Sequence, residues 1–180
     1  MSPPERSNQE QSKRARLPGW ITPILLTALL VLFLLGHVAA PWGLSHLSTR
    51  YGWIDGWPGP WNLLALSLVV AGIAGTFWLM AQHYRASPDS LRELRPGQTL
   101  LTLGPYAVSR NPMFLFELAF WFGWALFYGS LAVLIGFLFW LALFNFAIVP
   151  YEERDLEARF GEAYRAYKAR VPRWLGLARR

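Results

Sequence analysis

The stretch PMFLFELAFWFGWALFYGSLAVLIGFLFWLALFNFAIV, residues 112–149, decides the fold. It holds two apolar runs, Pro112–Phe127 and Leu131–Val149, broken only by Tyr128-Gly129-Ser130. Each is near the length that an α-helix needs to cross a bilayer, at ~1.5 Å of rise per residue. With so little turn material between them, the two form an antiparallel helical hairpin. The chain therefore returns to the side of the membrane it left. Polar clusters flank the hairpin: Gly104-Pro105-Tyr106 and Arg110-Asn111-Pro112 before it, Glu152-Glu153-Arg154-Asp155-Leu156 after it. Both clusters arrive at one water–lipid boundary, and their meeting place is the candidate site.

Upstream, Trp20–Ala40 and Trp61 to about Tyr84 are two further apolar runs of spanning length. Val38-Ala39-Ala40 loosely imitates a signal-peptide cleavage site, but the run is too long and Pro41 follows directly. An uncleaved span is the better reading. Ala71, Gly72 and Gly75 supply small residues that let transmembrane helices approach closely. Residues 41–60 read as a loop whose Trp42, Trp53 and Trp57, with Trp61, suit an interfacial aromatic belt. A substrate lid, or a fifth span or half-span in 41–60, is the alternative. The expectation is an all-α membrane protein with about four transmembrane helices. Residues 1–19 form a disordered basic tail and 20–180 a single integral membrane domain.

Composition agrees. Of 180 residues, 54% are hydrophobic and only 16% charged, with the charges gathered between the apolar runs, so a soluble domain is excluded. The lack of cysteine excludes disulfides, a thiolate nucleophile and Cys-ligated metals. His37, His46 and His83 show no ligand spacing, so no metal site is expected. Lys and Arg number four in 1–19, four in 85–111 and eight after the fourth span, leaving only Arg50 on the other side. The positive-inside rule then places both termini and the two clusters in the cytoplasm. It also accounts for the net +6 without nucleic acid, for which no binding signature is present.

In the C-terminal segment Leu156, Phe160, Tyr164, Tyr167 and Val171 recur at helical spacing, predicting an amphipathic cytoplasmic helix. It lies on the membrane surface, closes over the site, or does both. Asn111-Pro112 is a helix start, with Asn as cap and Pro at the first helical position. Arg110 beside that start suits a carboxylate or phosphate ligand, or equally the lipid phosphates. Gly104-Pro105 is a turn that lets backbone approach a ligand. Of Glu152 and Glu153, one is explained as a helix-start cap, and the other is free to accept hydrogen bonds from ribose hydroxyls or an ammonium group. Glu117, inside the third span, is a candidate functional carboxylate, or else pairs with Arg110 or Asn145.

Leu101-Thr102-Leu103-Gly104-Pro105-Tyr106, Arg110-Asn111-Pro112, Glu152-Glu153-x-x-Leu156 and Phe160-Gly161-x-x-Tyr164-x-x-Tyr167 together resemble the isoprenylcysteine carboxyl methyltransferase and phospholipid methyltransferase superfamily. The resemblance covers about residues 95–174. One departure stands out: the superfamily's Arg-His-Pro-x-Tyr is Arg110-Asn111-Pro112-Met113-Phe114 here, without the imidazole and the phenol hydroxyl. The resemblance implies an S-adenosyl-L-methionine cofactor near the cytoplasmic interface, held by Leu103, Gly104, Pro105, Tyr106, Arg110, Asn111, Pro112, Glu152 and Glu153. Arg110, Glu117 and Glu153 are the catalytic candidates, Glu117 or Glu153 as base for an amine acceptor. The acceptor implied is an amphiphilic or lipid-like molecule entering from the bilayer, with O-methylation of an isoprenylcysteine-like carboxylate favoured over phospholipid N-methylation. An NADPH-dependent membrane reductase of similar architecture and a non-catalytic membrane scaffold are the other two readings.

Overall fold

The computed structural model describes residues 21–86 and 99–176, and it is helical except for one small hairpin. The expected tail at 1–19 lies outside the described residues, as do Arg92 and Arg95 of the connection. Helix α1 (Ile21–Leu34) passes through a π turn (Leu35–Ala39) into α2 (Ala40–Ser45) without leaving helical dihedrals. Helix α3 is Pro60–Ala86 and α4 is Pro112–Tyr128. Helix α5 (Leu131–Leu143) passes through a second π turn (Phe144–Ile148) into α6 (Val149–Phe160), and α7 is Glu162–Arg170.

Both π turns end two residues before a proline, Pro41 and Pro150. A proline ring inside a helix collides with the carbonyl four residues earlier, and the wider turn moves that carbonyl aside. The bonds Ala40 N–H to Leu35 O and Val149 N–H to Phe144 O mark the change of register. Two expectations fall as a result. Pro41 does not end the first helix, which runs on to Ser45. Glu152 and Glu153 do not start a new helix either; they sit inside the continuous Leu131–Phe160. The break comes at Gly161, whose φ of 53° with ψ of −123° only glycine adopts readily. The expected amphipathic face is thus carried by two short helices, with Tyr164, Tyr167 and Val171 buried together against Leu156, Phe160, Leu100 and Tyr106.

Two of the helices, Pro60–Ala86 and Leu131–Phe160, are long and apolar enough to cross a membrane, and Leu30–Ser45 and Pro112–Tyr128 are shorter apolar helices. Helices α3 and α4 pack closest. A methyl group on Gly72 would stand 2.6 Å from Phe120 Cβ, and one on Gly75 would enter the Phe116 ring. Ala71, expected in the same contact, faces outward. The bundle's outer face is as apolar as its core. Val70 (64% exposed) and Phe139 (61%) face out while Val69, Phe120 and Trp121 are buried. Only a lipid solvent makes that distribution stable.

At the end of the hairpin turn, residues 41–60 hold no span or half-span. After α2 they form strands β1 (Trp53–Ile54) and β2 (Trp57–Pro58), joined at Asp55-Gly56, both with positive φ. Asp-Gly favours this two-residue turn. Asn62, 3% exposed, donates to the carbonyls of Tyr51, Leu126 and Phe127 at 3.1, 3.2 and 2.8 Å, and its own oxygen accepts from Gly59 N–H. Trp53 also donates to Phe127 O, so it serves the fold rather than a belt; Trp42, Trp57 and Trp61 are exposed.

Candidate functional site

The other end of the bundle gathers both polar clusters. Gly104, at φ 64°, opens a 3-10 turn (Gly104–Ala107) whose chain is then strapped to the segment after α7. Tyr167 OH donates to Tyr106 O at 2.7 Å, Arg110 N–H to Pro172 O at 3.0 Å, and Ser109 OH to Arg173 O at 3.3 Å. The Asn111 side chain does not cap α4. Its Nδ2 donates to Arg173 O at 3.0 Å, and its backbone N–H is taken by Ser109 Oγ. A tertiary partner thus takes this Asn in place of its own helix, and the Arg173 carbonyl accepts from both Ser109 and Asn111.

At the centre of the straps lies Glu153, whose side chain is 4% exposed. Arg173 holds it with Nε to Oε1 at 3.2 Å and Nη2 to Oε2 at 2.9 Å, and Arg110 Nη1 stands 3.1 Å from Oε1. The last contact is a charge contact without hydrogen-bond alignment, and Arg110 Nε and Nη1 have no hydrogen-bond partner among the described residues. The Tyr164 hydroxyl is also without one. Burial, reinforced by the Glu153 charge and opposed by Arg110, pushes that phenol up to about 12. Burial also raises Tyr106 and Tyr167, and the Glu153 bond raises Arg173. Buried donors without acceptors are rare in finished structures and mark a place where a further group belongs.

Three cavities open around this core; one of about 320 Å³ lies between Arg110 and residues 168–173, and the other two share a wall. The first of the two, of about 390 Å³, is lined by His83, Tyr106, Arg110, Asn111, Pro112, Met113, Phe114, Glu152, Asp155 and Arg159, with Tyr167 and apolar neighbours. The second, of about 480 Å³, is lined by Trp78, Leu79, Gln82, Arg85 and residues 99–106. Thr99, Leu100, Leu101 and Tyr106 belong to both walls. The expected cofactor residues therefore divide. Arg110, Asn111, Pro112 and Glu152 line the first, more polar cavity, Leu103, Gly104 and Pro105 line the second, and Tyr106 lines both. Glu153 lines neither; it is used up by two guanidiniums and holds Arg110 in place.

Glu117 stands apart. It pairs with His37 Nε2 of the first π turn, whose Nδ1 meets Phe33 O at 2.9 Å, and not with Arg110 or Asn145. Asn145 instead accepts from Trp174 Nε1 at 3.1 Å. His83, Ser109, Asp155 and Arg173 carry the site without having been singled out in the sequence. Arg173 ends the Val171-Pro172-Arg173 run, and Asp155 stands one turn beyond Glu152, which were the signals to be had. Nothing local marks His83 or Ser109. Among the described residues no group of His, Asp and Glu comes together as metal ligands.

A family model described as phospholipid methyltransferase matches residues 61–163, which span α3, the strapped turn, the hairpin and Glu152–Glu153. An uncharacterized protein of Haemophilus influenzae is 35% identical over 63 residues, covering 35% of this chain and all of that protein. No solved structure matches the chain.

Proposed function

This chain belongs to the phospholipid methyltransferase family, and from that premise we propose that it is an S-adenosylmethionine-dependent methyltransferase acting on a lipid-like acceptor. Family membership by itself implies a membrane methyltransferase. The observation that carries the finer reading is a pair of largely apolar cavities sharing a wall at Thr99–Leu101 and Tyr106, of which only the more polar one carries carboxylates, Glu152 and Asp155. A donor and an amphiphilic acceptor need such a junction, because methyl transfer is an in-line displacement whose rate comes largely from positioning.

The more polar cavity suits the cofactor. Its volume falls in the ordinary range for small-molecule sites, about 300–1,000 Å³. Arg110, held from behind by Glu153, would present its guanidinium to the cofactor's carboxylate. Glu152 and Asp155 present carboxylates that would accept from its ammonium group or ribose hydroxyls. When bound, the cofactor supplies an electrophilic methyl group on a sulfonium. Phe114, in place of the superfamily's tyrosine, gives this wall an apolar ring that offers no hydrogen bond. The other cavity, with Trp78, Leu79, Leu101 and Leu103, would take the acceptor's chain.

Four crossings with both termini cytoplasmic complete this reading, supported by Arg50 lying at one end of the bundle and Arg110, Arg173 and α7 at the other. Titration of the protein in nanodiscs with S-adenosylhomocysteine, with NADPH as control, tests the cofactor. Micromolar binding of the first and none of the second is expected; the reverse result, or neither binding, ends the proposal. The cysteine-free chain lets single cysteines at Arg50 and Lys168 report sidedness, and labelling of both from one side would end the topology.

A further inference from the structure

Both carboxylates that the sequence offers as bases, Glu117 and Glu153, are occupied. Glu153 is held by Arg110 and Arg173, and Glu117 is paired with His37 and lines neither cavity. A different group is poised at the seam. His83, on the last turn of α3, points its Nδ1 at the carbonyl of Leu79, 3.0 Å away. A carbonyl can only accept, so Nδ1 carries the hydrogen and Nε2 bears the lone pair. Nε2 in turn lies 3.3 Å from the Tyr106 hydroxyl, with the two rings edge to face at 5.6 Å. Tyr106 belongs to the walls of both cavities of the pair and His83 to that of the more polar one. The Tyr106 backbone is fixed from behind by Tyr167. The tautomer, the ring orientation and the position at the junction are therefore all set by the fold.

We propose that, for an amine-bearing acceptor of the kind the family takes, His83, through Nε2 and the Tyr106 hydroxyl, receives the polar head and takes a proton from it. This rests on the methyltransferase reading above. In the step, one N–H bond of the ammonium head breaks, its electron pair stays on the nitrogen, and the proton bonds to Nε2. The imidazole becomes imidazolium while its Nδ1–H stays on Leu79 O. The freed amine is the nucleophile; an ammonium has no lone pair to offer. A carboxylate acceptor would need no such group.

The charged and titratable groups around His83 are Arg85 on its own helix, Tyr106 and Arg110 on the connection, Glu152, Asp155 and Arg159 on α6, and Tyr167 on α7. The test uses the full chain in nanodiscs of phosphatidylethanolamine or phosphatidylcholine. Without any donor present, the ¹⁵N signal of His83 Nε2 shifts in phosphatidylethanolamine relative to phosphatidylcholine. With donor, His83→Gln loses at least tenfold in kcat and loses the acid limb of the pH–rate profile. Tyr106→Phe raises KM about threefold and keeps that limb. S-adenosylhomocysteine affinity stays within threefold of wild type in His83→Gln, which also reports that the variant is folded. If the homologue binds and the His83 signal is the same in both lipids, or the pH profile of His83→Gln matches wild type, the His83 proposal is overturned and the methyltransferase reading stands. If the homologue fails to bind wild-type protein, the methyltransferase reading falls, and this one with it.

Discussion

The two ends of the bundle use the same kinds of residue to opposite effect. At the hairpin-turn end Asn62 uses both amide hydrogens and its oxygen on backbone groups, and Ser130 caps α5 while bonding Ser48 at 2.8 Å. Arg50 lies over the Trp53 and Tyr128 rings and bonds Ser45 Oγ at 2.8 Å. Among the described residues of that end, the indole nitrogen of Trp124, stacked on Tyr128, is left without a partner. At the other end the unpartnered atoms include a charged group: Arg110, which lines a cavity, keeps buried nitrogens without hydrogen-bond partners, and the Tyr164 hydroxyl is buried without one as well. The first arrangement closes a fold, and the second stores binding capacity, because an unsatisfied buried donor gains most when a ligand satisfies it.

Mutations break this contrast in order of size. Glu153→Ala should be the most damaging, leaving two neighbouring guanidiniums without their carboxylate. About 3 kcal/mol is expected, at the low end for a buried pair because Arg173 is a third exposed. Thermal unfolding in detergent reads the loss, and cofactor binding should vanish with it. Asn62→Leu attacks the closed end by orphaning the Tyr51 carbonyl and removing one of the donors to Leu126 O and Phe127 O, at a cost of about 2 kcal/mol. Here affinity for S-adenosylhomocysteine should hold in whatever fraction remains folded. Should that affinity fall, the two ends are not independent. Arg110→Lys attacks the open end: charge is kept but the planar fork is lost. About a tenfold weaker Kd, roughly 1.4 kcal/mol, with an unchanged unfolding midpoint is the expected pattern. Stability lost with affinity retained would make Arg110 structural. The smallest effect belongs to His37 and Glu117. A double-mutant cycle with His37→Phe and Glu117→Leu should return about 0.6 kcal/mol of coupling, the usual size for a polar pair between membrane helices. A zero value would mean that the pair does not tie the first helix to α4.

How much of this could be read from the chain depends on the range of the interactions. The apolar runs at 61–84 and 112–127 are long local patterns, and their helices appear within a few residues of the expected limits, whereas the helix that starts at Leu131 as expected runs past Val149 to Phe160. The meeting of Arg110 with Glu153 was legible too, since a short turn at Tyr128-Gly129-Ser130 forces the two helix ends together. Local rules failed where a distant group competed for the same atoms. Asn111 has every credential of a cap, and Arg173 took its amide. Pro41 and Pro150 look like stops, but a π turn ahead of each lets a lipid-embedded helix continue. Glu117 found a histidine eighty positions away.

The sequence by itself determined a membrane-embedded helical bundle, the pairing of its last two long helices and the family that it resembles. All three follow from hydropathy, turn length and short motifs, which act over a few residues. Only the tertiary structure decided which carboxylate is spent on arginines and which faces a cavity, and that His83 stands beside Tyr106. Those outcomes turn on hydrogen-bond distances between segments far apart in the chain, and no local pattern encodes which of several acceptors a buried donor will reach first.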